Sequence, residues 1–118
     1  MPTPRDVVDA MTAAYDASDW QAFGECFHDD AVLESMGQRV EGRDAIVEYQ
    51  RSNTPEVERR DWYVADDERV WGRWTASFDA DDGRRITTTG ASMSQVRDGR
   101  VTHLAMWVDL SFMLPAPD

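Results

Sequence analysis

At Pro55 the hydrophobic period of this 118-residue chain changes from that of helices to that of strands. Before it, apolar residues recur at spacings of three and four; after it, they alternate with polar ones. A single element type cannot satisfy both periods. The chain is therefore expected to place helices first and a strand meander second, packed as the layers of an α+β fold.

The first segment has the marks of a capped helix. Thr3 can N-cap, Pro4 suits the first turn, and Asp6 can complete a capping box. Val7, Val8, Met11, Ala14 and Tyr15 then make one apolar stripe. Ser18 and Asp19 break and re-cap the chain, and Trp20, Phe23 and Phe27 read as the stripe of a second, short helix. DDAVLESMGQRVEG reads as a short strand, a turn at Gly37 and a second short extended piece. A third helix is expected over 42–52, with Ala45, Ile46 and Tyr49 on one face. Pro55 pushes Thr54 out of helical geometry and stops it.

Three long alternating segments, 57–66, 69–80 and 84–97, are followed by a fourth over 100–112, separated by DDE, DADDG and RDG turns. In VWGRWTASF, Val70, Gly72, Trp74, Ala76 and Phe78 share one face, and Trp71, Arg73, Thr75 and Ser77 the other. Such alternation suits an antiparallel sheet with one face on a core. Three helices over a curved sheet leave a conical space between the layers. We expect a single domain over 1–118, with 113–118 as a frayed tail.

The formal charge is −11, and all twelve basic residues are arginine. Such a surface repels nucleic acid and anionic lipid, so neither is an expected partner. The N-terminus lacks the basic-then-apolar order of a signal peptide, and no apolar run approaches the ~18 residues of a membrane span. A cytoplasmic location is expected. One cysteine, Cys26, excludes an internal disulfide and a multi-cysteine zinc site, and reads as an inert, buried thiol.

FHDDAVLES gathers His28, Asp29, Asp30 and Glu34. Tight metal binding needs ligands that converge on one point. Strand alternation sends Asp30, Val32 and Glu34 to one side and Ala31, Leu33 and Ser35 to the other, while His28 and Asp29 fall in the turn leaving the helix. The stretch is better read as a helix end and strand start. No metal or other cofactor is expected.

ASDWQAFGECFHDDAVLES, then VEGRDAI, then RDGRVTHLAMWVDL, in this order and spacing, resemble the nuclear transport factor 2-like superfamily, in its SnoaL-like and ketosteroid-isomerase-like branch. The resemblance covers nearly the whole chain. It implies a cone of three N-terminal helices packed on a curved antiparallel (mixed) sheet. The fold hosts isomerases, cyclases, epoxide hydrolases, dehydratases and plain binding modules, so it does not imply one activity.

The resemblance also allows residue-by-residue tests. Ketosteroid isomerases keep a catalytic Asp where this chain has Ser35, an oxyanion tyrosine at Met11 and a protonated Asp at or near Ser92. A serine hydroxyl cannot replace a carboxylate base near neutral pH. Limonene epoxide hydrolases use an Asp-Arg-Asp arrangement. Arg73 fits its middle member, but the flanking positions read Thr75 and Met106. SnoaL-like cyclases carry a late acid/base Asp, for which Asp109 is the nearest match.

If Leu104, Met106 and Val108 face the cone, then His103, Ala105, Trp107 and Asp109 face away, and Trp107 joins Trp71 on the outer sheet face. That face is the expected homodimer surface. The family register turns Thr88, Gly90, Ser92 and Ser94 inward, leaving polar-lined space under the helices. Ser35, Leu33 and Ile46 would join the inner wall with Leu104, Met106 and Val108. Tyr15 and Tyr49 are open between core and pocket, and Met11 would line or close the cone. Three functions follow from this reading: an isomerase, cyclase or hydratase acting on a hydrophobic oxygenated substrate, a binding module for a small hydrophobic ligand, or a filled structural dimer.

Overall fold

A computed structural model gives the architecture. It describes residues 2–111, with the backbone alone for residues 62–65. The elements are α1 (Pro4–Asp16), α2 (Trp20–Glu25), β1 (Phe27–Ser35), β2 (Gln38–Glu41), α3 (Arg43–Ser52), β3 (Glu56–Ala65), β4 (Arg69–Asp79), β5 (Arg85–Arg97) and β6 (Arg100–Val108). Among the described residues the strands form one six-stranded sheet in the order β2-β1-β6-β5-β4-β3. All neighbours are antiparallel except β1 and β6, which run parallel. This is the α+β arrangement of helices on a mixed sheet.

The helix signals act as the residues dictate. The Thr3 side chain accepts from Asp6 N while the Asp6 carboxylate accepts from Thr3 N, a closed capping box. Val7, Val8, Met11 and Ala14 bury the resulting stripe. Asp19 caps α2 by accepting from Ala22 N at 3.1 Å. In α3, Ala45 is exposed, and the buried stripe runs through Ile46 and Gln50 instead.

Phe27 requires a correction. It opens β1 rather than closing α2, because Cys26 already caps that helix and Val101 N donates to Cys26 O at 2.7 Å. The apolar stripe is nonetheless real in space: the Phe27 ring lies 5.1 Å from Phe23, which also meets Trp20 at 5.5 Å and Tyr15 at 6.2 Å. Such aromatic pairs add about 0.5–1.5 kcal/mol beyond their buried area.

His28, Asp29 and Asp30 correspondingly belong to β1, where the register on β6 shifts between Phe27 and Val32. They serve separate ends. His28 Nε2 bonds Arg97 O at 3.0 Å, Asp29 pairs with Arg43 at 2.9 Å, and Glu34 pairs with Arg39 at 2.8 Å. Among the described residues no three His, Cys, Asp or Glu side chains converge in a way that could hold a metal ion. Among the described residues no helix is long and apolar enough to cross a membrane. The expected frayed tail, 113–118, lies outside the described residues.

Strand pairing carries the inner face across the sheet in rows. Ser35 is opposite Met106, Met106 opposite Ser92, and Ser92 opposite Gly72. The next row runs Leu33, Leu104, Ser94 and Val70. On the outer face Trp71 and Trp107 stack with centroids 6.1 Å apart and planes 10° apart, and both are exposed. His103 shares that side; its Nε2 lies 3.6 Å from Glu34 Oε2 without a hydrogen bond.

Candidate functional site

Between the helices and the inner face of β4–β6 lies a cavity of about 480 Å³. Its deep wall is buried: Met11 from α1, Phe23 from α2, Ala76 from β4, and Ser94 and Leu104 from the central strands. Its rim is exposed, with Asn53 and Thr54 after α3, Met36 at the β1–β2 turn and Leu110 after β6. A volume of this size matches a small organic molecule.

The structure places the residues expected at this wall as follows. Met11, Tyr15 and Tyr49 line it from the helices; Ser35, Ser92 and Ser94 bring hydroxyls; Leu104, Met106 and Val108 supply apolar surface from β1's neighbour β6. Leu33 and Ile46 are corrections. Both face inward, but α2 and α3 close over that end of the sheet, and both are fully buried core residues away from the cavity. Asp109 is also off the cavity. Its carboxylate accepts from Ser111 N at 2.9 Å, and that backbone bond holds it below the usual carboxylate range. A carboxylate so committed and exposed is a poor proton carrier for this cavity.

Polar groups at the wall divide into committed and uncommitted ones. Trp74 Nε1 donates to Ser92 Oγ at 2.9 Å, Thr88 Oγ1 donates to Asp109 O at 2.5 Å, and Tyr15 OH donates to Pro55 O at 3.3 Å. Burial pushes the Tyr15 phenol up, against the opposing Arg60 guanidinium, so the group stays protonated and donating near neutral pH. Arg60 itself is held by Asp16 through two bonds of 2.7 Å and lies 5.9 Å over the Tyr15 ring.

Ser35, Gln50 and Ser94 are different. They are 4%, 8% and 2% exposed, they line the cavity, and their side chains make no hydrogen bond to another described residue. Among the described residues the one sealed, unpartnered side-chain polar atom is His103 Nε2. The Ser35, Gln50 and Ser94 side chains therefore open onto the cavity. Buried polar groups normally find partners, and these three have none among the described residues. Gln50 is absent from the sequence reading. Its signal was its spacing, four residues after Ile46, which puts an amide on the apolar face of α3.

No Asp, Glu or His lines the cavity among the described residues. The wall offers apolar surface, hydroxyls, the amides of Gln50 and Asn53, two phenols and the guanidinium-bearing Arg60 and Arg73. It can bind, orient and donate hydrogen bonds. Among the described residues it holds no carboxylate or imidazole base.

Comparison with known proteins places this geometry. A candidate polyketide cyclase from Xanthomonas campestris pv. campestris superposes with a TM-score of 0.81 at 22% identity, covering 93% of each chain. A second candidate polyketide cyclase, from Pseudomonas putida KT2440, gives 0.81 at 17% identity over 94% of this chain and 95% of that one. A nuclear transport factor 2-like protein of unknown function from Cytophaga hutchinsonii ATCC 33406 gives 0.80 at 13% identity over 96% of each. At such identities the likeness is one of fold. No curated protein sequence matches the chain. The SnoaL-like domain profile matches residues 8–104, most of the length, and with the shared cone architecture the chain belongs to the SnoaL-like branch of the nuclear transport factor 2-like superfamily.

Proposed function

We propose that this chain binds an apolar, oxygen-bearing small molecule in its cavity and orients it with Ser35, Gln50 and Ser94. The observation that carries this reading is the set of three buried, uncommitted polar side chains on a mostly apolar wall. Apolar area supplies affinity, and the few polar groups set orientation. Because no carboxylate or imidazole joins them among the described residues, the reading is of a holding site rather than a general-base enzyme.

Naphthalene and 2-naphthol, which differ by one hydroxyl, test it by titration calorimetry. The expected result is tighter binding of 2-naphthol, with the difference cut roughly 3–10-fold by Ser94→Ala, the value of one hydrogen bond. Equal binding of the two compounds would overturn the reading. Native mass spectrometry of the protein as purified adds the identity of any retained ligand.

A second reading, turnover of the isomerase or cyclase kind, is supported by SnoaL-like membership and by the fold shared with the candidate polyketide cyclases. It would need the Tyr15 phenol, whose one proton is donated to Pro55 O, to exchange that partner for a substrate oxygen.

We further propose a second copy of the chain on the outer sheet face. The chain carries 23 acidic residues, yet β5 and β6 contain none, and the exposed Trp71–Trp107 stack lies across them. Two copies with a net charge of −11 approach with least repulsion there. Sedimentation should show a dimer, and Trp107→Glu should sediment as a monomer without a change in its circular dichroism. A wild-type monomer at micromolar concentration would refute this.

A further inference from the structure

The sheet contains two hairpin turns of the same form, and they differ in one residue that the fold itself does not explain. The β1–β2 turn pairs Ser35 with Gln38 around Met36 and Gly37, at φ 50° and 78°. The β5–β6 turn pairs Arg97 with Arg100 around Asp98 and Gly99, at φ 53° and 77°. Two successive left-handed residues favour Asn, Asp or Gly in the first place, because a short polar side chain bonds locally and tolerates that backbone. Asp98 obeys this rule. Met36 breaks it.

Packing does not account for the exception. Met36 is 56% exposed, so it recovers little by burial. Its position is distinctive: it lines the cavity and also an adjoining groove of about 450 Å³ walled by Glu34, Gln38, Arg39 and Trp107. Ser35, Met106, Val108 and Leu110 are likewise common to both spaces. A flexible, polarisable thioether thus stands where the two meet. Strained residues retained at such places point to function.

Resting on the reading of the cavity as a small-molecule site, we propose that Met36 is its specificity-determining residue, closing on an aromatic portion of the ligand that emerges between cavity and groove. Thioethers pack well on ring faces and edges and adapt to their shape. The residue that weakens the hairpin is, on this view, the one that selects the ligand.

The proposal makes stability and binding move in opposite directions. With N-phenyl-1-naphthylamine as a fluorescent probe, Met36→Asn should raise Tm by roughly 3–6 °C while increasing the probe's Kd about five- to tenfold. Asp98→Met, the mirror exchange in the other turn, should lower Tm by a similar amount and leave probe binding unchanged. Unchanged probe binding by Met36→Asn, or a lower Tm for it, overturns the role of Met36 alone. Failure of the wild-type protein to bind the probe overturns the small-molecule reading together with it.

Discussion

Gly90→Ala is expected to destabilise the protein by about 3 kcal/mol and to lower Tm by on the order of 10 °C. Gly90 is a buried position of β5, opposite Trp74 on β4 and Val108 on β6. A Cβ there would collide with the benzene ring of the Trp74 indole and would lie 2.6 Å from the Trp107 carbonyl oxygen. A side chain can swing away, but a carbonyl within a paired strand cannot move without disturbing the ladder. The strain therefore has two outlets, each harmful. Either the β5–β6 pairing spreads, or the indole leaves the wall and breaks its bond to Ser92. Thermal unfolding gives the stability loss, and near-ultraviolet dichroism shows whether the indole has lost its fixed environment. A variant as stable as the parent would mean that Trp74 does not lie across Gly90 in solution.

The same glycine marks the boundary of what the sequence reveals. Alternation in VWGRWTASF places Trp74 and Gly72 on one face, and the resemblance turns Gly90 and Ser92 toward the same side, yet nothing local says that an indole crosses from one strand to lie on the next. Face is readable from period; depth is not. Leu33 and Ile46 have the right parity and periodicity for an inner wall, but whether an inward residue meets a helix or a cavity depends on where α2 and α3 close on the sheet. Phe27 shows a related limit. Its four-residue spacing from Phe23 is helical, and the two rings do meet, but the contact is made from a strand paired with Val101, a partner distant in sequence. Gln50 was visible as an amide on an apolar stripe and needed only the helical period. Met36 needed more: Gly37 announces a turn, whereas the strain at Met36 follows from a backbone angle.

Phe23→Ala should cost about 4 kcal/mol, which is a large part of the 5–15 kcal/mol typical of whole domains. Phe23 is 1% exposed and joins α1, α2 and β1 through its contacts with Tyr15, Trp20 and Phe27. Removing the ring deletes its transfer free energy and opens a hole that the surrounding rings only partly refill. Because Phe23 also lines the cavity, that hole is continuous with it. An apolar probe should therefore return part of the lost stability, as expected when a ligand binds the folded state alone. Leu33→Ala provides the contrast. Its side chain is equally buried, and its removal should cost about 3–5 kcal/mol, but the void would be sealed within the core. Added N-phenyl-1-naphthylamine should raise the Tm of Phe23→Ala by more than that of the parent, and the Tm of Leu33→Ala by no more. An identical response from both variants would mean that the cavity does not extend to Phe23, and that the helices pack against β1 and β6 as one continuous core.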